Sequence, residues 1–134
     1  MLMSTSLNLP ENVLGIIADC GFTSPGAIIK KVMQQDLQVP IFPFYYTTRI
    51  AARLVAGFDF EEENSAKAVK NCKIPILFIH GKKDNFVPFS MGEEIYNAAG
   101  GKKQAVWVEG ADHGRSFVVD KTACSSAISG FLGI

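Results

Sequence analysis

Apolar and polar positions along this 134-residue chain fall into alternating short and long runs. Val13–Leu14–Gly15–Ile16–Ile17–Ala18 is short, apolar and β-branched, and it closes on Asp19–Cys20–Gly21, the pattern of a strand buried on both faces of a parallel sheet. Thr23–Ser24–Pro25 supplies an N-cap and a proline at the first helical position, and Ile28, Ile29, Val32 and Met33 then share one helical face. Val39–Pro40 ends that helix, because the residue before a proline is driven towards extended backbone. Residues 41–60 are rich in aromatics (Phe42, Phe44, Tyr45, Tyr46), and Tyr46, Ile50 and Leu54 recur at helical spacing before Gly57, which predicts a loop and a helix.

Ser65 is placed to cap a helix running through Ala66, Ala68 and Val69 to Cys72, and Pro75 introduces the clearest strand, Ile76–Leu77–Phe78–Ile79, which stops at His80–Gly81. Ser90 and Glu93 stand at capping-box spacing ahead of Ile95, Ala98 and Ala99, with Gly100–Gly101 as a left-handed stop. Residues 104–108 form a third strand that ends at Glu109–Gly110. The last helix starts near Asp120 and carries Cys124, Ala127, Ile128, Phe131 and Leu132 on one side. Strands that alternate with helices imply right-handed crossovers and a parallel sheet covered on both sides. The predicted class is α/β, with three or so parallel strands and helices on both faces.

Composition agrees with a packed domain: 48% of residues are apolar and only 19% charged, and no repeat or linker divides the chain. Thirteen basic residues balance thirteen acidic ones, and no basic block exceeds two residues, so no nucleic-acid partner is expected. No apolar run approaches the roughly 20 residues of a bilayer span, and no basic-then-apolar leader follows Met1. Cys20, Cys72 and Cys124 are odd in number and widely spaced, without a C-x-x-C pair, which predicts free thiols and a cytoplasmic setting.

In an open parallel sheet, ligands bind outside the carboxyl ends of the strands. The loop after the second strand holds Asp84 and the loop after the third holds His113. Neighbouring strands lie about 4.8 Å apart, so these loops can bring the carboxylate and imidazole within hydrogen-bonding reach, as the orienting acid and general base of a triad. Asp112, the immediate neighbour of His113, is poorly placed for that role and is expected to shape the loop. His80–Gly81 is expected to be structural, and Ser24 and Ser90 are explained as N-caps, while Ser116 is placed to face the cleft. Phe86 and the aromatics of residues 42–46 either line an acyl- or aryl-accepting pocket or simply pack.

At these residues the chain resembles the α/β-hydrolase superfamily, in its serine acyl hydrolase and peptidase-like branch. Pro75–Ile76–Leu77–Phe78–Ile79–His80–Gly81, then Asp84 with Val87–Pro88, then Gly110–Ala111–Asp112–His113–Gly114 follow the order of that family's acid strand, acid loop and histidine loop. Asp19–Cys20–Gly21–Phe22–Thr23–Ser24–Pro25 is similar to the loop after the strand that follows the nucleophile helix. The family places its nucleophile in G-x-S-x-G ahead of these motifs, and this sequence contains none. The resemblance therefore implies that residues 1–134 are the C-terminal part of an α/β-hydrolase domain. Residues 1–8 would close the nucleophile-helix region, and residues 40–64 or so would form a cap-like insertion. It implies hydrolysis of a carboxylic ester, thioester or amide in a small acyl or peptide-like substrate, with no metal or organic cofactor, and little activity from this chain alone.

Two alternatives remain open at this level. Cys20 follows a strand and is a candidate nucleophile in its own right. Alternatively, the chain is a non-catalytic binding module or pseudoenzyme that forms a homodimer or oligomer through the sheet edge at residues 13–18.

Overall fold

The computed structural model describes residues 2–6 and 9–134, so the expectation for residues 1–8 lies partly outside the described residues. One parallel sheet has the order β1–β2–β3, where β1 is Ile16–Asp19, β2 is Ile76–Gly81 and β3 is Lys103–Val108. Ile16 is in register with Ile76, and Ile76 with Lys103. Parallel neighbours require crossover connections, and helices supply them. Between β1 and β2 lie α1 (Pro25–Lys31), α2 (Phe44–Ala51) and α3 (Ser65–Ala68). Then α4 (Phe89–Ala98) joins β2 to β3, and α5 (Ser116–Val119) and α6 (Lys121–Leu132) follow.

The core has two layers. On one side of the sheet Ile16, Ala18, Ile76 and Phe78 pack against Ala66 and Val69 around α3 and against Ile95 and Ala99 at α4. On the other, Leu77, Ile79 and Val108 pack against Cys124, with Ala127, Ile128 and Phe131 of α6 alongside. Strand β2 is buried at every position because it has a strand on each flank and a helical layer on each face.

Strand β1 departs from the expectation of burial on both faces. Its positions alternate, Ile17 remains 43% exposed, and Leu14 just before the strand is 83% exposed. The reason is geometric: α6 packs over β2 and β3, and the Phe131 ring lies against Gly15, just ahead of β1.

Local signals were partly overridden by tertiary partners. The Ser24 hydroxyl caps α1 by accepting from the Ala27 amide at 3.1 Å, as its sequence predicts. The helix then widens into a π-helical turn, Val32–Asp36, and stops before Val39–Pro40. In α2 the buried residue is Tyr45, while Tyr46 and Ile50, with Leu54 in the π-helical segment Ala52–Ala56 that follows, face outward. Polar tethers fix that rotation. The Tyr45 hydroxyl donates to Glu61, and Arg49 forms a two-pronged pair with Asp59 at 2.8 and 2.7 Å, which holds the Asp59 carboxyl down to about 2. Asn64, not Ser65, caps α3 through a 2.8 Å bond from the Lys67 amide. Helix α4 begins at Pro88 with no side-chain cap, and Ser90 is an exposed residue of its first turn. Gly100 and Gly101 are not left-handed; a Cβ on Gly100 would lie 2.0 Å from the Lys70 carbonyl oxygen, so the requirement there is close approach. Asp120, near which the last helix was expected to start, caps α6 by accepting from the Ala123 amide at 2.9 Å.

The end of β2 is equally crowded. A Cβ on Gly81 would fall 2.3 Å from the Ala111 carbonyl oxygen, the oxygen that accepts from the Lys83 amide at 3.0 Å. Gly81→Ala is expected to lower unfolding free energy by about 1–3 kcal/mol, the usual cost of overpacking a tight site. Urea denaturation checks this, and a change within 0.5 kcal/mol or so would remove the claim that backbone contact fixes this residue.

Candidate active site

Because β2 and β3 are parallel neighbours, the loops leaving their carboxyl ends meet. Asp84 lies in the first loop with its side chain wholly buried. Its Oδ1 accepts from the amides of Phe86 at 3.0 Å and Val87 at 2.8 Å, a local turn that fixes the rotamer. Its Oδ2 lies 2.9 Å from Nδ1 of His113. A carboxylate can only accept here, so Nδ1 carries the hydrogen and Nε2 of His113 is left as the acceptor nitrogen. The His113 side chain is 42% exposed, with the Phe86 ring against it at 5.0 Å between centroids.

His80, on β2 itself, is the residue the sequence undersold. It is buried, its Nε2 donates to the Val87 carbonyl at 3.0 Å, and the same nitrogen is 3.4 Å from Asp84 Oδ2. His80 thus holds the far end of the acid loop, its Nε2 hydrogen committed to Val87 beside the carboxylate. Its ring fits because α4 presents Gly92 there; a Cβ on Gly92 would lie 2.5 Å from Nδ1 of His80. The four-residue spacing of His80 and Asp84 was visible in the sequence, but nothing local indicated that the loop would fold back onto the strand.

Asp112 plays the loop-shaping part expected of it. Its Oδ1 accepts from the His113 amide at 2.8 Å and from the Asn85 amide at 3.2 Å, joining the two loops. Those two amides, His113 first, hold its carboxyl below the usual carboxylate range. Gly110 and Gly114 flank the turn with φ of 75° and 64°, a region that favours glycine.

The third loop end brings Cys20 to the same place. Its backbone is left-handed, with φ of 51°, and its amide continues the sheet by donating to Ile79 at 3.0 Å. Its sulfur accepts from the Gly114 amide at 3.2 Å. Burial, only partly offset by that amide, pushes the thiol up to about 12. Cys20 is therefore a protonated thiol at neutral pH, without the thiolate that a cysteine nucleophile needs. Its role in the geometry is to clasp the histidine loop.

Cys20, Asp84 and His113 present ligand atoms within 4.8 Å of one another, the set among the described residues that has the chemistry to hold a metal. Each of those atoms is already engaged. A cation would have to displace the Asp84–His113 bond and deprotonate Cys20, so the arrangement is a closed hydrogen-bonded cluster. Of the serines, Ser24 caps α1, Ser90 is exposed, and Ser116 is wholly buried rather than facing the cleft, its hydroxyl lacking a hydrogen-bond partner. Among the described residues none of the three hydrogen-bonds His113. No helix among the described residues is long and apolar enough to cross a membrane.

With that geometry in place, comparison with known proteins is informative. The family model described as serine hydrolase (FSH1) matches residues 13–114. The Bacillus subtilis protein YqkD, itself uncharacterized, is 24% identical over 116 residues, which is 87% of this chain and 38% of YqkD. Among solved structures, an esterase from Pyrococcus furiosus superposes with a TM-score of 0.64 at 16% identity, over 98% of this chain and 48% of that one. The acylaminoacyl peptidase of Pyrococcus horikoshii gives 0.63 at 14% identity, over 97% of this chain and 20% of that one. The partial α/β-hydrolase fold is common to them. This chain spans well under two thirds of the length of each of these three proteins.

The ionisation of Cys20 makes a direct prediction. A thiol reagent at pH 8 should label Cys20 slowly in the folded protein and fast after unfolding. The folded rate should climb steeply only as pH approaches 12, the value to which burial raises the thiol. Rapid, selective labelling of Cys20 at pH 7 would show instead that it ionises readily.

Proposed function

The chain belongs to the FSH1 serine hydrolase family, and on that premise we propose that Asp84 and His113 are the acid and general base of a hydrolase of carboxylic esters, thioesters or amides. The observation that carries this reading is the 2.9 Å bond between a wholly buried Asp84 carboxylate and Nδ1 of a partly exposed His113. Asp84 holds the imidazole in one tautomer and offsets the charge that forms when Nε2 accepts a proton. In the first step Nε2 takes the proton of a serine hydroxyl as that oxygen attacks the substrate carbonyl. The proton passes to the leaving alcohol, thiol or amine, and an acyl-enzyme forms. In the second step Nε2 takes a proton from water, water attacks the acyl carbonyl, and the serine recovers its hydrogen.

The serine lies outside this sequence, which has no G-x-S-x-G. On this reading it arrives on a strand that pairs with the open edge of β1, residues 1–134 form the C-terminal part of the complete domain, and residues 40–64 or so act as a cap-like insertion. The proportion of YqkD that the chain spans, 38%, supports that reading.

Two measurements test it. The chain alone should hydrolyse short aryl esters no faster than its His113→Ala variant. With a segment carrying the nucleophile strand and elbow joined ahead of residue 1, turnover should appear. It should then fall by on the order of 10⁶-fold in His113→Ala and on the order of 10⁴-fold in Asp84→Ala, the scale of losses when triad members are removed from a serine protease. Turnover in the joined protein that survives both substitutions would refute the assignment.

A second reading rests on β1. Among the described residues it pairs with β2 alone, and Leu14 and Ile17 leave apolar surface beside its free edge. Such an edge recruits a strand, and in this chain by itself the available strand is β1 of a second copy, related by a two-fold axis. Light scattering should find a dimer that Ile17→Lys converts to a monomer, whereas a monomer at high concentration in the unsubstituted chain would exclude it.

A further inference from the structure

Helix α1 and the turn after it present Ile28, Ile29, Val32 and Met33 to an open cavity, but the residue there with the most demanding surroundings is Lys31, the last of the helix. Lys31 is buried, with 9% of its surface exposed. Its ammonium donates to both oxygens of Asp36, at 3.0 and 2.9 Å, and to the Asn85 carbonyl in the acid loop at 2.6 Å.

The backbone is shaped to make this possible. In an α-helix the side chains that meet are three or four residues apart, and Asp36 lies five beyond Lys31. There the helix widens into the π-helical turn Val32–Asp36, whose Leu37 amide donates to Val32, five residues back, at 2.9 Å. The wider turn carries Asp36 back to Lys31. Burying a cation is costly, and apolar side chains in place of a buried pair are often neutral or stabilising. Filling the space between α1 and the acid loop therefore does not call for a lysine, whereas gripping a carbonyl there does.

The Asn85 carbonyl and the Phe86 amide are the two ends of one peptide group, planar and trans, so its oxygen and its hydrogen point in opposite directions. Lys31 holds the oxygen, and the hydrogen is donated to Asp84 Oδ1 at 3.0 Å. A rotation of that plane would break both bonds together. A cation on the oxygen also makes the N–H a stronger donor, because linked hydrogen bonds polarise one another. The preceding peptide is fixed as well, since the Asn85 amide donates to Asp112 at 3.2 Å.

We propose that Lys31 is a positioning residue of the candidate active site: through the Asn85–Phe86 peptide it sets the rotamer of Asp84, and through Asp84 the tautomer and orientation of His113. The proposal rests on the reading of Asp84 and His113 as acid and base for its effect on turnover alone, because the effect on the imidazole needs no catalysis.

The test uses the chain as it is, labelled with nitrogen-15 and carbon-13. In the unsubstituted protein the ring nitrogens of His113 should report a single Nδ1–H tautomer. Lys31→Met keeps the aliphatic stem and removes the donors; the signals of the sheet should hold while His113 becomes a mixture of both tautomers. Lys30→Met removes the same charge one residue away, where the partner is Glu61, and should leave His113 as it was. In the joined protein Lys31→Met should lower kcat by about 10–100-fold with KM unchanged, the scale of loss when a reacting group is displaced by about 1 Å. A folded Lys31→Met protein in which His113 keeps its single tautomer would overturn the proposal, and so would an equal change in Lys30→Met. Should Lys31→Met fail to fold, the unsubstituted chain decides. Couplings across hydrogen bonds should connect Lys31 Nζ to the Asn85 carbonyl carbon and the Phe86 nitrogen to the Asp84 carboxyl carbon, and absence of the first would overturn the proposal. Failure of the catalytic reading looks different. His113 would respond to Lys31→Met as described while ester turnover in the joined protein stayed independent of His113.

Discussion

A carboxylate removed from water has to be met by donors on every side, or burying it costs several kcal/mol. Asp84 meets that constraint with groups from two parts of the chain, the amides of Phe86 and Val87 in its own loop and His113 from the loop after β3, while His80 from β2 holds the acid loop through the Val87 carbonyl. Much of the surrounding structure follows from keeping those donors in place. Gly81 lets the acid loop cross against Ala111, Gly92 leaves room for the His80 ring, and Asp112 staples the two loops together. Each hydrogen bond to the ionised group contributes about 1.5–3 kcal/mol. Their joint effect is to give a partly exposed imidazole one orientation.

The parts legible in the sequence are those that local chemistry decides. Strands β2 and β3 announce themselves as apolar runs with turn residues at their ends, and the proximity of Asp84 and His113 follows from parallel pairing alone. The Ser24 cap was equally plain, because a cap is a contact between residues three apart. What escaped the sequence was decided at long range. Nothing near Tyr45 indicates that Glu61 and Asp59 will turn α2 and the segment after it so that Tyr46, Ile50 and Leu54 face outward. The stripe on α1 has the periodicity of a core face, and periodicity does not distinguish a core from the wall of a cavity. His80 read as structural, and its contact with the acid loop depends on a turn that brings Val87 back to it.

The two faces of the sheet are unequally finished. Helices α3 and α4 cover one side as far as β1, while α6 leaves the other side of β1 open. That asymmetry concentrates exposed apolar surface along one strand, next to the loop that carries Cys20.

Cys20 connects these regions more tightly than its small size suggests. One covalent step from β1 and one hydrogen bond from Gly114, it joins the free strand to the turn that holds the imidazole. Whatever pairs with that strand shares an equilibrium with the order of the histidine turn, and by reciprocity a molecule that steadies the turn must tighten the pairing to the same degree. The Cys20 side chain would then act as the coupling element between assembly and alignment.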